Sequence, residues 1–464
     1  MNNKLNILKN GFASALQKLV RAGEQLLLVP FFVASWGPTY YGEWLTLTAI
    51  PTALALSDLG IGTAAANTFV LRYAGGDEEG AKRTAKAGFR FLLFICLGLI
   101  LLSGILCMTP MIQKWMPHGT ISPQDGLIVL CILLVSRALG FYFQLIEAFY
   151  RAAGKAALGM QLVSYYSIAK IIGSIAFLVC KGKAVELAVT DLIVTVLFLA
   201  VYAKMGFDLL PHFQWRKAIG IGPEFKFLIK KGVAYMISPA WQALFFQGTT
   251  LVVRASLGAE AVALFNTVRT LCRSINQLYS IINSAIFPEL QIKLGQNDYE
   301  SARKLYRTGI GVALATSVAG TLMLWLLGPW IYSIWTHGKL VPSQSLWFTF
   351  LIGILFNATW WTAVMVYRAA NQPEKFAVAG ILGSLISIAA TWVLTRTIGM
   401  TGAAIGNTIM EVVMATYVIR STARILNQNL VTLPSEMWND FRDFFVYAKQ
   451  IYKNRKNSKT TIEV

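Results

Sequence analysis

The chain has 464 residues, 56% of them hydrophobic and only 14% charged, with a formal net charge of +19. A soluble chain carries about 25% charged residues, so this composition excludes a water-soluble enzyme, a disordered chain and a secreted disulfide scaffold. Nucleic acid is not the expected partner either, because in a membrane protein a cation excess collects on the cytoplasmic side.

The first ten residues are polar, and the apolar stretch that follows carries Lys18, Arg21 and Glu24. It lacks the uncharged core of a signal peptide, so the N-terminus is expected to stay in the cytoplasm. Apolar runs long enough to span a bilayer then recur near 11–34, 44–71, 88–110, 125–148, 157–180 and 184–204. A polar stretch at 205–229 follows, with a basic piece from Phe225 to Lys231 expected on the membrane surface. Six further runs lie near 230–256, 260–288, 306–332, 345–366, 375–396 and 401–421. The fold class is thus an all-α polytopic membrane protein of twelve transmembrane helices. Its parts are an N-terminal lobe (1–204), a cytoplasmic linker (205–229), a C-terminal lobe (230–421) and a cytoplasmic tail (422–464), with Met437–Ile451 as a candidate amphipathic helix. Pro30, Pro51, Pro239 and Pro288 predict bends, and Trp36, Trp115, Trp330, Trp335 and the Trp360–Trp361 pair predict interface anchors.

With both termini inside, cytoplasmic segments hold about 29 of the 41 Lys and Arg, and the opposite face about four. The chain also repeats. Ser35-Trp36-Gly37 matches Ser256-Leu257-Gly258, and Asp77–Arg83 matches Asp298–Lys304, at one offset of 221 residues, from 37 to 258 and from 77 to 298 alike. His118-Gly119 matches His337-Gly338, and Tyr150–Ala153 matches Tyr367–Ala370. Ordered matches of this kind mark a duplicated unit. An even number of spans per unit predicts a pseudo-two-fold axis along the membrane normal.

The chemistry lies in charges placed inside spans. These are Lys18, Arg21, Arg137, Lys170, Arg254, Arg269, Arg273 and Arg396, against the acids Glu24, Asp58, Glu147, Asp191 and Glu411. Each costs about 2.5–3.5 kcal/mol at bilayer depth even on a mild scale, so it needs an ion-pair partner or a wet cavity. The cations outnumber the acids. Arg269 and Arg273 are i,i+4 on one face that Asn276 extends, Lys18 and Arg21 are i,i+3, and Arg137 and Lys170 sit mid-span. A cavity lined by Lys18, Arg21, Arg137, Lys170, Arg269, Arg273 and Asn276 would focus a positive potential suited to a polyanion such as a pyrophosphate or an acidic sugar. Asp58 and Glu24 either carry a coupling cation or pair with Arg21. The five cysteines and three histidines show no ligand spacing. The largest external connection, near 111–124, offers only Lys114 and His118. No metal, cofactor or catalytic group is expected.

The series Trp36-Gly37, Tyr41-Gly42-Glu43-Trp44 and Ser57-Asp58-Leu59-Gly60-Ile61-Gly62, with Leu257-Gly258, Phe287-Pro288-Glu289-Leu290 and the Asp298–Lys304 loop, resembles a known group. It is similar to the polysaccharide-transporter (Wzx-type) branch of the MOP exporter superfamily, whose relatives include the lipid II flippase and MATE transporters. The resemblance covers nearly the whole chain. It implies two six-helix lobes around a cavity that opens alternately to each side of the bacterial inner membrane. It further implies an undecaprenyl-pyrophosphate-linked oligosaccharide (an O-antigen or exopolysaccharide unit) as cargo. Membrane lipids, a glycan polymerase and chain-length regulators are the implied partners of a monomer. The alternative of the same architecture is a cation-coupled multidrug or small-molecule antiporter of the MATE type.

Overall fold

The computed structural model describes residues 2–57, 60–108, 119–370, 372–443 and 446. Among them, regular structure is helical throughout. The helices are α1 (Asn2–Ser57), α2 (Ile61–Ala74), α3 (Glu78–Met108), α4 (Pro123–Ala152), α5 (Ala156–Val179), α6 (Ala184–Asp208) and α7 (Gly222–Leu257). They continue with α8 (Ala259–Arg273), α9 (Asn276–Gly295), α10 (Tyr299–Leu326), α11 (Gly328–Trp335), α12 (Gln344–Ala363), α13 (Met365–Ala369) and α14 (Pro373–Ile425).

Two of these helices double back. A straight helix advances about 18 Å over twelve residues, yet the rings of Phe32 and Trp44 lie 6.2 Å apart. The reversal is at Gly37, whose φ of 74° suits a residue without Cβ. In α14, Ser387 Oγ donates to the Gly406 carbonyl at 2.7 Å, although a straight helix would put them about 28 Å apart; here the chain turns at Ile398 and Gly399. Among the described residues, eight helices are long and apolar enough to cross a membrane, and these two hairpins are among them. Counting each hairpin as two legs and adding α7 and the α8–α9 pair gives twelve legs, in step with the apolar runs of the sequence. The protein is a multi-pass membrane protein. Its outer face is apolar, as in α3, where Leu93, Phe94, Leu97, Ile100 and Leu101 are exposed while Ala85 and Ala87 are buried.

The repeat is visible bond for bond. Gly258 has φ 89° and ψ −175°, close to the 74° and 171° of Gly37. In the first loop Asp77 N donates to Arg72 O and Gly80 N to Asp77 Oδ1. In the second, Asp298 N donates to Lys293 O and Ser301 N to Asp298 Oδ1. Gly76 and Asn297 take the positive φ of each turn. The cation before each loop pairs with its Asp, Arg72 with Asp77 at 3.8 Å and Lys293 with Asp298 at 3.2 Å.

Three expectations change. The run 44–71 is not one helix, because it is interrupted at Gly60, which has φ 63°. The run 260–288 breaks at Ser274 and Ile275, where Gln277 N and Leu278 N bond three residues back, to Ser274 O and Ile275 O, the tighter 3₁₀ pattern. The two reversals fall at Gly37 and Gly399, while Pro30, Pro51, Pro239 and Pro288 lie inside helices. Finally, Phe225–Lys231 is not a separate surface segment. It forms early turns of α7, continuous with the apolar run, and Phe225 packs beside Leu228 against α2 and α3.

The segments after the two halves act alike. Lys86 Nζ donates to Ala218 O at 2.7 Å, tying α3 to the linker, and Trp215 stacks on Phe89 at 4.5 Å. Arg307, the residue matching Lys86 in α10, binds Glu436 and Asp440, both at 2.5 Å. Residues 433–443 are helical, and Phe441 lies over Gly311. Of the expected tail helix, the part beyond 443 lies outside the described residues except Val446.

Candidate functional site

Three polar centres sit among the helices. The first joins α4, α5 and α6. Asp191 accepts Lys170 Nζ in close contact and lies 3.7 Å from Arg137 Nη2. Ser136 Oγ donates to Asp191 Oδ2 at 2.5 Å, and Thr195 and Tyr166 extend the network. Lys170 also lies 5.5 Å from the Tyr166 ring. Two cations thus share one carboxylate. The Arg137 side chain stays 30% exposed, while those of Lys170 and Asp191 are 12% and 11% exposed.

The second centre joins α7, α8, α12 and α14. The spacing of Arg269 and Arg273 does place them on one face of α8, but they do different things. Arg273 reaches Glu411 at 3.4 Å and stacks on Phe246 at 4.5 Å. Arg269 is buried and donates to neutral acceptors: the Phe246 carbonyl at 3.3 Å, Thr249 Oγ1 at 2.9 Å, Thr250 Oγ1 at 3.1 Å and Asn266 Oδ1. The rings of Phe246 and Phe265 enclose it at 5.3 and 5.0 Å. Glu411 is 3% exposed and accepts Asn357 Nδ2 at 2.7 Å and Trp360 Nε1 at 2.8 Å. Trp360, expected at the membrane interface, is buried because it serves this carboxylate. Asn276 is half-buried just beyond the Ser274–Ile275 turn.

The third is a cavity of about 250 Å³. Lys18 of α1 lines it, facing Trp241 and Gln242 of α7, Ser280, Asn283 and Phe287 of α9, Trp361 of α12, Arg368 of α13 and Phe376 of α14. Of the described residues expected to line one chamber, Lys18 alone lines this cavity. Arg137 and Lys170 fall in the first centre, and Arg269 and Arg273 in the second. Glu24 is half-buried in α1. Asp58 and the side chain of Arg21 lie outside the described residues.

Sequence reasoning underrated Asp191 and Glu411 and left Arg368 in a loop. The signal was present: Asp191 and Glu411 stand 220 residues apart, close to the repeat offset, as do Arg137 and the Asn357 that bonds Glu411. The Tyr41–Trp44 motif is architectural. Glu43 accepts Thr120 N at 2.9 Å and Ile121 N at 2.7 Å, and a Cβ on Gly42 would collide with the Ala259 backbone.

No family model matches the chain. A Salmonella typhi protein named "Putative O-antigen transporter" is 22% identical over 413 residues, covering 84% of this chain and 89% of that one. Among solved structures, an inward-facing multidrug-resistance MATE transporter of the MOP superfamily superposes with a TM-score of 0.72 at 16% identity, over 89% of this chain and 94% of the other. The chain has the fold of the MOP transporters. The lipid II flippase MurJ in an inward closed conformation superposes with a TM-score of 0.70 at 15% identity, over 95% and 92% of the two chains. In this MOP fold both carboxylate centres draw their acid from the last helical leg of a repeat; Asp191 is met by Lys170 and Arg137, and Glu411 by Arg273 alone among the described residues, with Arg269 one turn away on neutral partners.

Proposed function

We propose that the protein is a flippase that carries an undecaprenyl-pyrophosphate-linked oligosaccharide across the bacterial inner membrane. Its two lobes, 1–204 and 230–421, would alternate access to the two sides, with both termini in the cytoplasm. The observation that carries this reading is the charge balance inside the spans. Asp191 serves both Arg137 and Lys170, and Glu411 serves Arg273 with Arg269 one turn away on neutral partners. Each centre keeps an uncompensated positive charge in a low-dielectric layer, which favours an anionic head group. The likeness to the O-antigen transporter and to the lipid II flippase supports the same cargo class. A lipid tail would remain in the bilayer beside the apolar outer face, so membrane lipids are the surrounding partner. A glycan polymerase and chain-length regulators would act on the delivered unit, and the flippase itself works as a monomer. Asp58 and Glu24 are the acids to test for cation coupling.

The test is deletion of the gene in its host with complementation by wild type and by Lys170→Gln. Wild type restores surface glycan. The deletion strain accumulates the lipid-linked repeat unit on the cytoplasmic face, and the variant restores less at equal abundance. Normal surface glycan in the deletion strain rejects the cargo. The TM-score of 0.72 to a MATE transporter favours a second reading, a small-molecule antiporter. A drug-sensitive deletion strain with intact glycan would establish that reading instead.

A further inference from the structure

We propose that the open face shared by α2 and α4 is a ladder for sugar hydroxyls, on which Thr63, Asn67, Gln144, Glu147 and Arg151 hold the oligosaccharide part of the cargo. Its role rests on the flippase reading; its chemistry rests on how these two helices pack. Between Ile61 and Phe69, α2 is buried except at Thr63 and Asn67, which stand i,i+4 on one face. Between Gln144 and Arg151, α4 is buried except at Gln144, Glu147 and Arg151, again one face. The two faces meet. Thr63 Oγ1 donates to Gln144 Oε1, and Arg151 Nη1 donates to Asn67 Oδ1 at 3.1 Å. Helices that bury their apolar sides and open only polar ones border water rather than lipid.

The line does not stop at Gln144. Gly140 and Arg137 continue it at the same spacing of three and four residues, so it runs about 21 Å along α4 to the Asp191 centre. A Cβ on Gly140 would meet nothing within 4 Å, so open space lies over the helix there and a sugar ring can approach its backbone. The mixture of groups decides the ligand. The Glu147 carboxylate opposes a phosphate, and Arg137 and Arg151 oppose a cationic drug. Gln144 is exposed and spends Oε1 on Thr63, which leaves its Nε2 protons for a ligand. Arg151 Nε is buried without an acceptor. A sugar hydroxyl both donates and accepts, so it answers carboxylate, amide and guanidinium alike. The cations of the Asp191 centre then meet the charged head, and the ladder selects the glycan that follows it.

The experiment measures binding of the host's own repeat-unit oligosaccharide, cleaved from its surface glycan, to the full-length protein in nanodiscs by calorimetry. Gln144→Leu and Asn67→Leu should each weaken binding about 2- to 10-fold, and the double variant should weaken it further. Gly140→Phe should fill the open space and abolish binding while melting as wild type does, and Gly140→Ala should bind as wild type. Inorganic pyrophosphate should not displace the bound sugar. No binding by wild type, unchanged binding in both Gly140→Phe and the double variant, or displacement by pyrophosphate overturns the ladder. Surface glycan that persists in the deletion strain rejects the flippase reading instead, whatever the oligosaccharide does in the nanodisc.

Discussion

The two carboxylate centres occupy matching places in the two repeats and are built to different ends. Around Asp191 the acid meets two cations directly, and hydroxyls fill its remaining bonds. Its members keep contact with open space, Arg137 most of all. Around Glu411 the acid is sealed, its second oxygen held by Asn357 and Trp360, and its one cation, Arg273, stands at 3.4 Å. The second cation, Arg269, is enclosed by aromatic rings and bonded to backbone and side-chain oxygens. Duplication supplied one plan, a carboxylate on the last leg facing the fourth. We infer that burial makes the Glu411 copy the more structural of the two, a scaffold beside its charge, and leaves the Asp191 copy the more open to an anion.

This contrast breaks most sharply at Glu411. Glu411→Ala strands Arg273, Asn357 and Trp360 together in a buried setting. Breaking a buried pair costs about 3–5 kcal/mol, so the variant should lose most folded protein on detergent size-exclusion chromatography. Glu411→Gln keeps an acceptor oxygen and should lose less. Arg269→Ala comes next, opening a void and removing the charged donor that the Phe246 carbonyl, Thr249, Thr250 and Asn266 share. A loss of about 3 kcal/mol is expected from unmade hydrogen bonds to a charged group, read as a clear fall in melting temperature. If Arg269→Ala melts normally but stops glycan export, the scaffold assignment is wrong and Arg269 belongs to the transport path.

At the open centre the order of effects should invert. Asp191→Asn should cost less stability, about 1–3 kcal/mol, yet reduce export more than its melting shift explains. Within the centre, a double-mutant cycle should give Asp191–Lys170 the larger coupling and Asp191–Arg137 the smaller, because Lys170 is in contact and Arg137 stands at 3.7 Å. Equal couplings would mean that the pair geometry does not govern the centre.

Much of this architecture was legible in the sequence, because a bilayer demands long apolar runs and closed backbone bonding. The twelve runs follow from that demand, whereas the repeat and the fold resemblance were read from short motifs in the connections. The reversals were legible only as motifs. Gly37 and Gly258 mark them by needing positive φ, which hydropathy does not register. The site was half legible. Charges inside spans name the polar centres, but the partner of a charge is fixed by which legs pack together, and that is long-range information. Arg269 and Arg273 share a helix face and so read as one functional pair; only α7 and α14 show that one binds Thr249 and the other Glu411. Arg368 was hidden for a related reason. It follows an apolar run and looks like loop, whereas the short helix α13 returns it to a cavity wall.

The smallest expected effect concerns the tail, where the repeat predicts a counterpart to the linker's grip on α3. Hydrogen bonds from Thr432 and Gln428, and then the Arg307 charge, hold the Glu436 carboxyl below its ordinary value. A carboxylate held down in the folded state contributes stability above its ordinary range and loses it as pH falls through the lowered value. The Glu436 side chain is 38% exposed, so solvent screening keeps the contribution small. A nitroxide on Ser435→Cys should therefore report an ordered tail at neutral pH and a mobile one only in acid below the usual carboxylate range. Glu436→Gln should loosen the tail at neutral pH, and Arg307→Ala should loosen it more, since Arg307 also binds Asp440 and Gln428. A label already mobile in the wild-type protein at neutral pH would show that the tail does not clamp α10 as the linker clamps α3.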